Sequence, residues 1–300
     1  MSSLTYATRK SPLALAQSRA FARALEQANP GLQALELTLV TAGDRHQDRP
    51  LQDLGGKGLF VKELEEALLD GRADFAVHSI KDVPAELPPG LELVCIPLRE
   101  DPRDALLTRE RGGLDSLRSG AKVGTSSLRR GLLLRALRPD VEILPLRGNV
   151  DTRLRKLESG EVDAILLAHA GLRRLGLEGR IDQLLSPEQM LPAVGQGALG
   201  IEARSGDDRV LGALRALAHT ETSLCVSAER AVLQATEGNC RTPLAAYAER
   251  RGDTLWLRGM LAEPDGSKLR FGSRSAPFPS TAEEARALGA DLGAELLGGA

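Results

Sequence analysis

KVGTSSLRR, residues 122–130, and ILPLRGNVDTRLR, residues 143–155, each close a short apolar strand and open a helix with arginine in its first turn. A helix start already presents unpaired backbone N–H groups and the positive end of its dipole. Added cations are repelled there unless an anion lies between them. In an open parallel sheet both junctions fall at the carboxyl ends of strands, the side on which ligands bind. Two such violations in succession set the α/β class and mark a candidate anion site.

The pattern extends on both sides. Upstream, Leu4–Ala7 reads as a strand, with Ser11 and Pro12 as the cap and first position of a helix that stops at Asn29-Pro30-Gly31; LELTLV (35–40) is the next strand. A helix near 59–69 and the strands ADFAVH (73–78) and LELVCIPL (91–98) complete a first unit. A second unit has strands at 122–124, 141–144 and 162–167 and helices at 127–137 and 150–158, the pattern of short crossovers in a doubly wound parallel sheet. LREDPRD (98–104) and LPAVGQGALG (191–200) are rich in breakers and read as two chain crossings between lobes, which predicts a hinge. Beyond them a helix at 221–235, strands near 244–249, 255–261 and 268–274, and a helix from 281 predict a small α+β domain. The expected fold is α/β in three domains: residues 1–98 plus 193–216, residues 99–192, and residues 217–300.

Composition narrows the function. The 300 residues are 42% hydrophobic and 27% charged, an ordinary globular mixture, and only 3% aromatic, so no platform for stacking nucleic-acid bases is visible. A net charge of −2 lacks the basic field of a nucleic-acid binder, and positive potential must be concentrated locally by folding. The 32 arginines against seven lysines also reflect a base-composition skew that makes chance Arg pairs common. The N-terminal stretch has no apolar run of signal-peptide type, and no segment approaches the roughly 20 apolar residues of a membrane span, so a cytoplasmic protein is expected. Cys95, Cys225 and Cys240 form neither a CxxC pair nor a metal-ligand spacing with histidine, and no metal is expected.

Several groups can carry chemistry. Thr125, Ser126 and Ser127 offer hydroxyls at a helix start where Arg129 and Arg130 add planar forks suited to carboxylate or phosphate; the alternative is simple capping with the arginines turned to water. Arg147 and Arg153 belong to the second junction, and Arg9 follows the first strand on the other lobe. GGKGLF (55–60) lacks the Walker spacing and reads as a mobile loop around Lys57, either a lid or a plain surface loop. In VHSIKDVP (77–84) Asp82 stands at a strand end as a general acid and base or as a turn cap, with Lys81 favouring its ionised form. Of the cysteines only Cys240, in the loop EGNCRTP, looks presented, and its neighbouring arginine lowers a thiol pKa.

Taken together, RKSPLALAQ, GGKGLFVKELE, AVHSIKDVP, REDPRDAL, VGTSSLRR, LRGNVDTRL, AGLRRLGL, LPAVGQGALGIE and the Cys240 loop closely resemble the porphobilinogen deaminase, or hydroxymethylbilane synthase, family over nearly the whole chain. The resemblance implies a transferase that joins four porphobilinogen molecules head to tail, releases ammonia and hydrolyses the chain to hydroxymethylbilane. It implies two lobes resembling periplasmic binding proteins, and a dipyrromethane cofactor held through a thioether at Cys240. By the same resemblance Asp82 is the catalytic carboxylate; Lys81, Asp82, Thr125, Ser127, Arg129, Arg130 and Arg147 hold the cofactor; Arg9, Ser11, Arg153 and Arg174 hold substrate or growing chain; and Lys57 and Phe60 belong to a lid. Each pyrrole carries acetate and propionate, which explains a cleft lined with guanidinium forks. A monomer without nucleic-acid or membrane partners is expected. EGNCRTP departs from many relatives, which have a second glycine before the cysteine, but Asn is the non-glycine residue best suited to left-handed backbone.

Two other classes of function fit some of these features. A hinged, non-catalytic anion-binding protein would use the same helix-start arginines. A thiol-dependent hydrolase would need a histidine for Cys240, and His78, His169 and His219 are distant in sequence while His46 lies in the expected lid.

Overall fold

The computed structural model describes residues 2–45, 60–238 and 242–298. The chain runs β1 (Ser2–Arg9), α1 (Pro12–Ala28), β2 (Leu32–Leu39), α2 (Ala42–Arg45), α3 (Lys62–Leu69), β3 (Phe75–Ser79) and β4 (Leu91–Cys95). It continues through β5 (Asp104–Thr108), β6 (Lys122–Gly124), α4 (Leu128–Leu137), β7 (Glu142–Leu144), α5 (Val150–Glu158), β8 (Ala164–Ala168), α6 (His169–Arg174) and β9 (Gln183–Leu185). The last part comprises β10 (Leu199–Arg204), α7 (Asp208–Arg215), α8 (Thr220–Ala235), β11 (Leu244–Arg251), β12 (Thr254–Leu261), β13 (Arg270–Pro277) and α9 (Ala282–Leu297).

Local signals explain the element starts. Ser11 Oγ accepts the Ala14 N–H and Pro12 occupies the first turn of α1, while Ser127 and Asn149 cap α4 and α5 in the same way. Along β1 the side chains alternate: Leu4 and Tyr6 pack with Phe21, Leu25 and Phe75, and Ala7 packs on Leu64 and Leu68 of α3.

The first sheet has the order β2-β1-β3-β10-β4 and the second β7-β6-β8-β5-β9. Both are mixed, which corrects the expectation of parallel sheets: β10 runs antiparallel to β3 and β4, and β5 antiparallel to β8 and β9. The reason lies in the crossings. Each of these strands begins where a crossing arrives, near the carboxyl ends of its new neighbours, and can only run back down the sheet. DALLT (104–108) is buried throughout and shows no alternation, and β10 starts inside the breaker-rich stretch, so periodicity exposes neither. A third, antiparallel sheet, β11-β12-β13, packs Leu255 and Leu257 against Val232 of α8 and Leu292 of α9. From its other face Ala245, Tyr247 and Met260 join the core of the second sheet, so this small unit is seated on the second lobe.

The two crossings meet at one buried carboxylate. Glu229 of α8 accepts from Arg99 Nη1 at 2.5 Å in the first crossing, from the Gly195 N–H at 2.7 Å in the second, and from the Ala248 N–H at 2.8 Å in β11. Arg99 Nε also donates to the Gln196 carbonyl at 2.8 Å. Close approach requires glycine on both sides of Gln196. Gly195 has φ +66° and a Cβ there would lie 2.0 Å from Ile80 Cγ2; Gly197 has φ +91° and a Cβ would lie 2.4 Å from the Glu100 carbonyl oxygen. Glu229→Gln would leave Arg99 buried beside a neutral group, with an expected loss of about 3 kcal/mol of folding stability in urea denaturation.

Candidate functional site

The site is assembled on the second lobe around Asp104, the first residue of β5, whose side chain is wholly buried. Arg129 Nη1 donates to its Oδ2 at 2.7 Å, and Arg130 donates to its Oδ1 through Nε at 2.9 Å and Nη2 at 2.6 Å. The remaining bonds of the two forks go to the Leu191 and Leu166 carbonyls, at 2.7 Å and 3.1 Å, and, from Arg129 Nη2, to Gln196 Oε1 at 3.5 Å. Gln196 of the second crossing donates to Asp104 Oδ1 at 3.1 Å and to the Pro102 carbonyl at 2.6 Å. Burial would raise the Asp104 pKa, but the two guanidiniums reverse this and hold it at about 2. The anion that the arginine-rich helix start demands is therefore supplied within the chain, and the trio retains a net positive charge. The sequence already held the cue: a lone carboxylate at the head of the apolar run DALLT.

Around this trio stand the other expected residues. Thr125 follows β6 and its Oγ1 accepts the Ser127 N–H at 3.2 Å, while Ser127 Oγ accepts the Arg130 N–H at 3.4 Å. Arg153 donates Nε to the Gly148 carbonyl at 2.9 Å and has no carboxylate partner among the described residues. Burial, then Arg130 and Arg147, pull its pKa down to about 10. Three guanidiniums thus repel one another at this wall. Their donor forks fit a ligand with several carboxylates, such as a dipyrromethane with its acetate and propionate arms. Arg174 donates to the Gly197 carbonyl at 2.8 Å, which ties α6 to the second crossing, and burial lowers its pKa.

On the first lobe β3 runs into a short turn, Ile80–Asp82. Lys81 is open to water on one side yet hemmed by protein; desolvation draws its pKa to about 8, Asp82 and Asp104 opposing the fall and Arg130 and Arg129 adding to it. That Lys81 senses Asp82 from its own lobe and Arg129, Arg130 and Asp104 from the other places one cleft between the two sheets. Asp82 lines a small pocket with Arg9, Ser11, Gln17, Phe60 and His78. Ser79 Oγ donates to Gln17 Oε1 at 3.2 Å. Arg9 forms an ion pair with Asp44 at 2.5 Å and lies 4.3 Å from the centre of the Phe60 ring. The structure thus brings Arg9, Ser11, Phe60 and Asp82 together on one lobe, and Thr125, Ser127, Arg129, Arg130 and Arg153 on the other. Asp44 and Gln196 complete the network without having been singled out in the sequence.

Lys57, Cys240 and His46 lie outside the described residues. Cys95 and Cys225 are buried as expected, with burial pushing both thiols up to about 12. Among the described residues no group of three or more His, Cys, Asp or Glu side chains converges on a metal position, and no helix is long and apolar enough to cross a membrane.

The chain is thus an α/β protein of two lobes joined by two crossings, with cationic forks on one lobe and a carboxylate-lysine turn on the other. The family model described as "Porphobilinogen deaminase, dipyromethane cofactor binding domain" matches residues 4–212, and "Porphobilinogen deaminase, C-terminal domain" matches residues 223–298. The chain belongs to the porphobilinogen deaminase family. A curated relative, the porphobilinogen deaminase of Sorangium cellulosum (strain So ce56), is 66% identical over 296 residues, 99% of this chain and 99% of its own. Among solved structures, the Bordetella pertussis BvgS VFT2 domain is 16% identical with a TM-score of 0.44, covering 76% of this chain and 91% of its own. The periplasmic aliphatic sulphonate binding protein SsuA of Escherichia coli is 16% identical with a TM-score of 0.40, covering 79% and 71%.

The folded-state pKa of Asp104 lies below the value of about 3.9 in an unfolded chain, so its contribution to stability is complete above that pH and vanishes as pH falls through about 2. Asp104→Asn should cost about 3 kcal/mol at pH 7. Urea titrations at pH 7 and pH 3 should show a smaller difference between variant and parent at the lower pH.

Proposed function

We propose that this chain is a hydroxymethylbilane synthase, which condenses four porphobilinogen molecules with loss of ammonia and hydrolyses the product from a resident dipyrromethane. The observation that carries the reading is that Lys81, beside Asp82 in the turn of the first lobe, lies within electrostatic reach of the Arg129–Arg130–Asp104 trio of the second, in a chain of this family. On this reading Lys81, Thr125, Ser127, Arg129, Arg130 and Arg147 would hold the dipyrromethane carboxylates, and Cys240 would carry it through a thioether. When bound, the dipyrromethane supplies the nucleophilic pyrrole α-carbon on which the chain grows.

The protein's own contribution is positional and electrostatic. Asp82 orients the departing amine, stabilises the positive charge that develops on the substrate as ammonia leaves, and accepts the α-proton after each coupling. Asp104 holds the forks of Arg129 and Arg130 rigid, so little reorganisation is needed when carboxylates arrive. Arg153 and Arg174, each donating to a backbone carbonyl, keep donors for substrate or growing chain. Arg9 and Ser11 take the same role from the first lobe, with Phe60 beside Arg9; closure of the segment around Lys57 would keep water from the reacting carbon. The functional division is taken as residues 1–98 plus 193–216, 99–192 and 217–300, and the chain as a cytoplasmic monomer without nucleic-acid or membrane partners. A stable dimer in sedimentation would overturn the last point.

Intact mass spectrometry of the denatured protein should find the added mass of a dipyrromethane in the parent and none in Cys240→Ser. An unmodified parent that stays unmodified after incubation with porphobilinogen would favour a non-catalytic anion-binding protein. Asp82→Asn should retain the adduct and lose about 100-fold or more in kcat; unchanged turnover would remove Asp82 from the mechanism.

A further inference from the structure

Beneath the Asp82 pocket lies a group of ionisable side chains that the mechanism above does not use. His78 of β3, Glu202 of β10 and Glu65 of α3 are all buried, Glu202 completely. His78 Nε2 stands 2.9 Å from Glu202 Oε2, but the approach is out of line, and neither oxygen of Glu202 nor Nε2 gains a hydrogen bond. A buried carboxylate without hydrogen-bond donors is costly in that position, and the unsatisfied oxygens of Glu202 and Nε2 of His78 face each other there. Glu65 shares the strain: burial first, then the charge of Glu202, raise its pKa to about 7, with His78 opposing. The other charges that act on the cluster are Glu66 of α3 and Arg230 of α8, which donates to the Pro84 and Ala85 carbonyls just past the Asp82 turn. His78 lines the same pocket as Asp82.

We propose that His78, Glu202 and Glu65 form a buried proton-holding cluster that clears Asp82 between couplings, an inference that rests on Asp82 being the general acid and base. In each cycle the aminomethyl group, in its ammonium form, loses its nitrogen with the C–N bonding pair as ammonia and leaves a cationic carbon. A carbon-carbon bond then forms at a pyrrole α-carbon, the C–H bond there breaks, and Asp82 takes the proton. The proton passes across the pocket to the cluster and is lost to solvent, where ammonia takes it up as ammonium. His78, Glu202 and Glu65 act through Asp82 and are positioning residues.

The test is the pH dependence of kcat and KM for the holoenzyme and for Glu65→Gln, Glu65→Asp and Glu202→Gln. Parent kcat should fall as pH drops through about 7, where protonated Glu65 no longer receives the proton. Glu65→Gln should be about tenfold slower with KM within about twofold, and flat across that range; Glu65→Asp should restore the inflection. Glu202→Gln, which keeps the shape of the side chain, should shift the inflection to lower pH by relieving Glu65 of its neighbour's charge. An inflection unchanged in Glu65→Gln, or a loss of thermal stability with an unaltered profile, would overturn the proposal. Asp82→Asn measured alongside separates the two ideas: full turnover there removes Asp82 from the chemistry, whereas the Glu65→Gln profile judges the cluster alone.

Discussion

Everything in the architecture passes through the buried carboxylate of Glu229. A two-lobed chain needs two crossings, and here both are tied to one side chain that belongs to neither lobe: Arg99 from one crossing, the Gly195 N–H from the other, and the Ala248 N–H from the third sheet. A single charge pair excluded from water has few competing geometries, because any displacement leaves an uncompensated ion or an unpaired N–H. The third unit thereby ties the two crossings together while packing the other face of its sheet on the second lobe. Gly195 and Gly197 allow the second crossing to lie against Ile80 and Glu100, which brings it directly against the turn that carries Lys81 and Asp82.

Asp104 is the corresponding element inside the cleft. It emerges from the first crossing, receives Gln196 from the second, and neutralises one of the two charges on Arg129 and Arg130. Two guanidiniums sharing one carboxylate are stable in the absence of ligand yet remain cationic, which is the condition for a site that must fold before it is filled. Arg153, pressed by Arg130 and Arg147, keeps the balance positive. The two crossings and the site therefore share residues: Gln196 of the second crossing donates to Asp104, which begins where the first crossing ends.

The two carboxylate environments of the first lobe contrast with this. Asp82 stands at a pocket edge beside Lys81, whereas Glu202 and Glu65 are buried, Glu202 with its Oε2 2.9 Å from His78 Nε2. Burial and the charge of Glu202 draw Glu65 up to about 7, so carboxylates on one lobe stand in environments that separate their behaviour.

Much of this was legible in the sequence. Ser11, Ser127 and Asn149 announced their helices because capping is a local interaction, and the arginines at 129 and 130 announced an anion because their repulsion by the helix start is local as well. The alternation of apolar runs and helices determined the α/β class, and the ordered motifs determined the family. Tertiary structure decided what depends on partners remote in sequence. The direction of β5 and β10 follows from where each crossing arrives, the identity of the anion as Asp104 from a contact 25 positions away, and the burial of His78 with Glu202 from strand pairing between β3 and β10. A sequence records which charges are present and their local cost; only the folded chain, by excluding water around some of them and not others, determines which charges are paired, which are left for a ligand, and which can hold a proton.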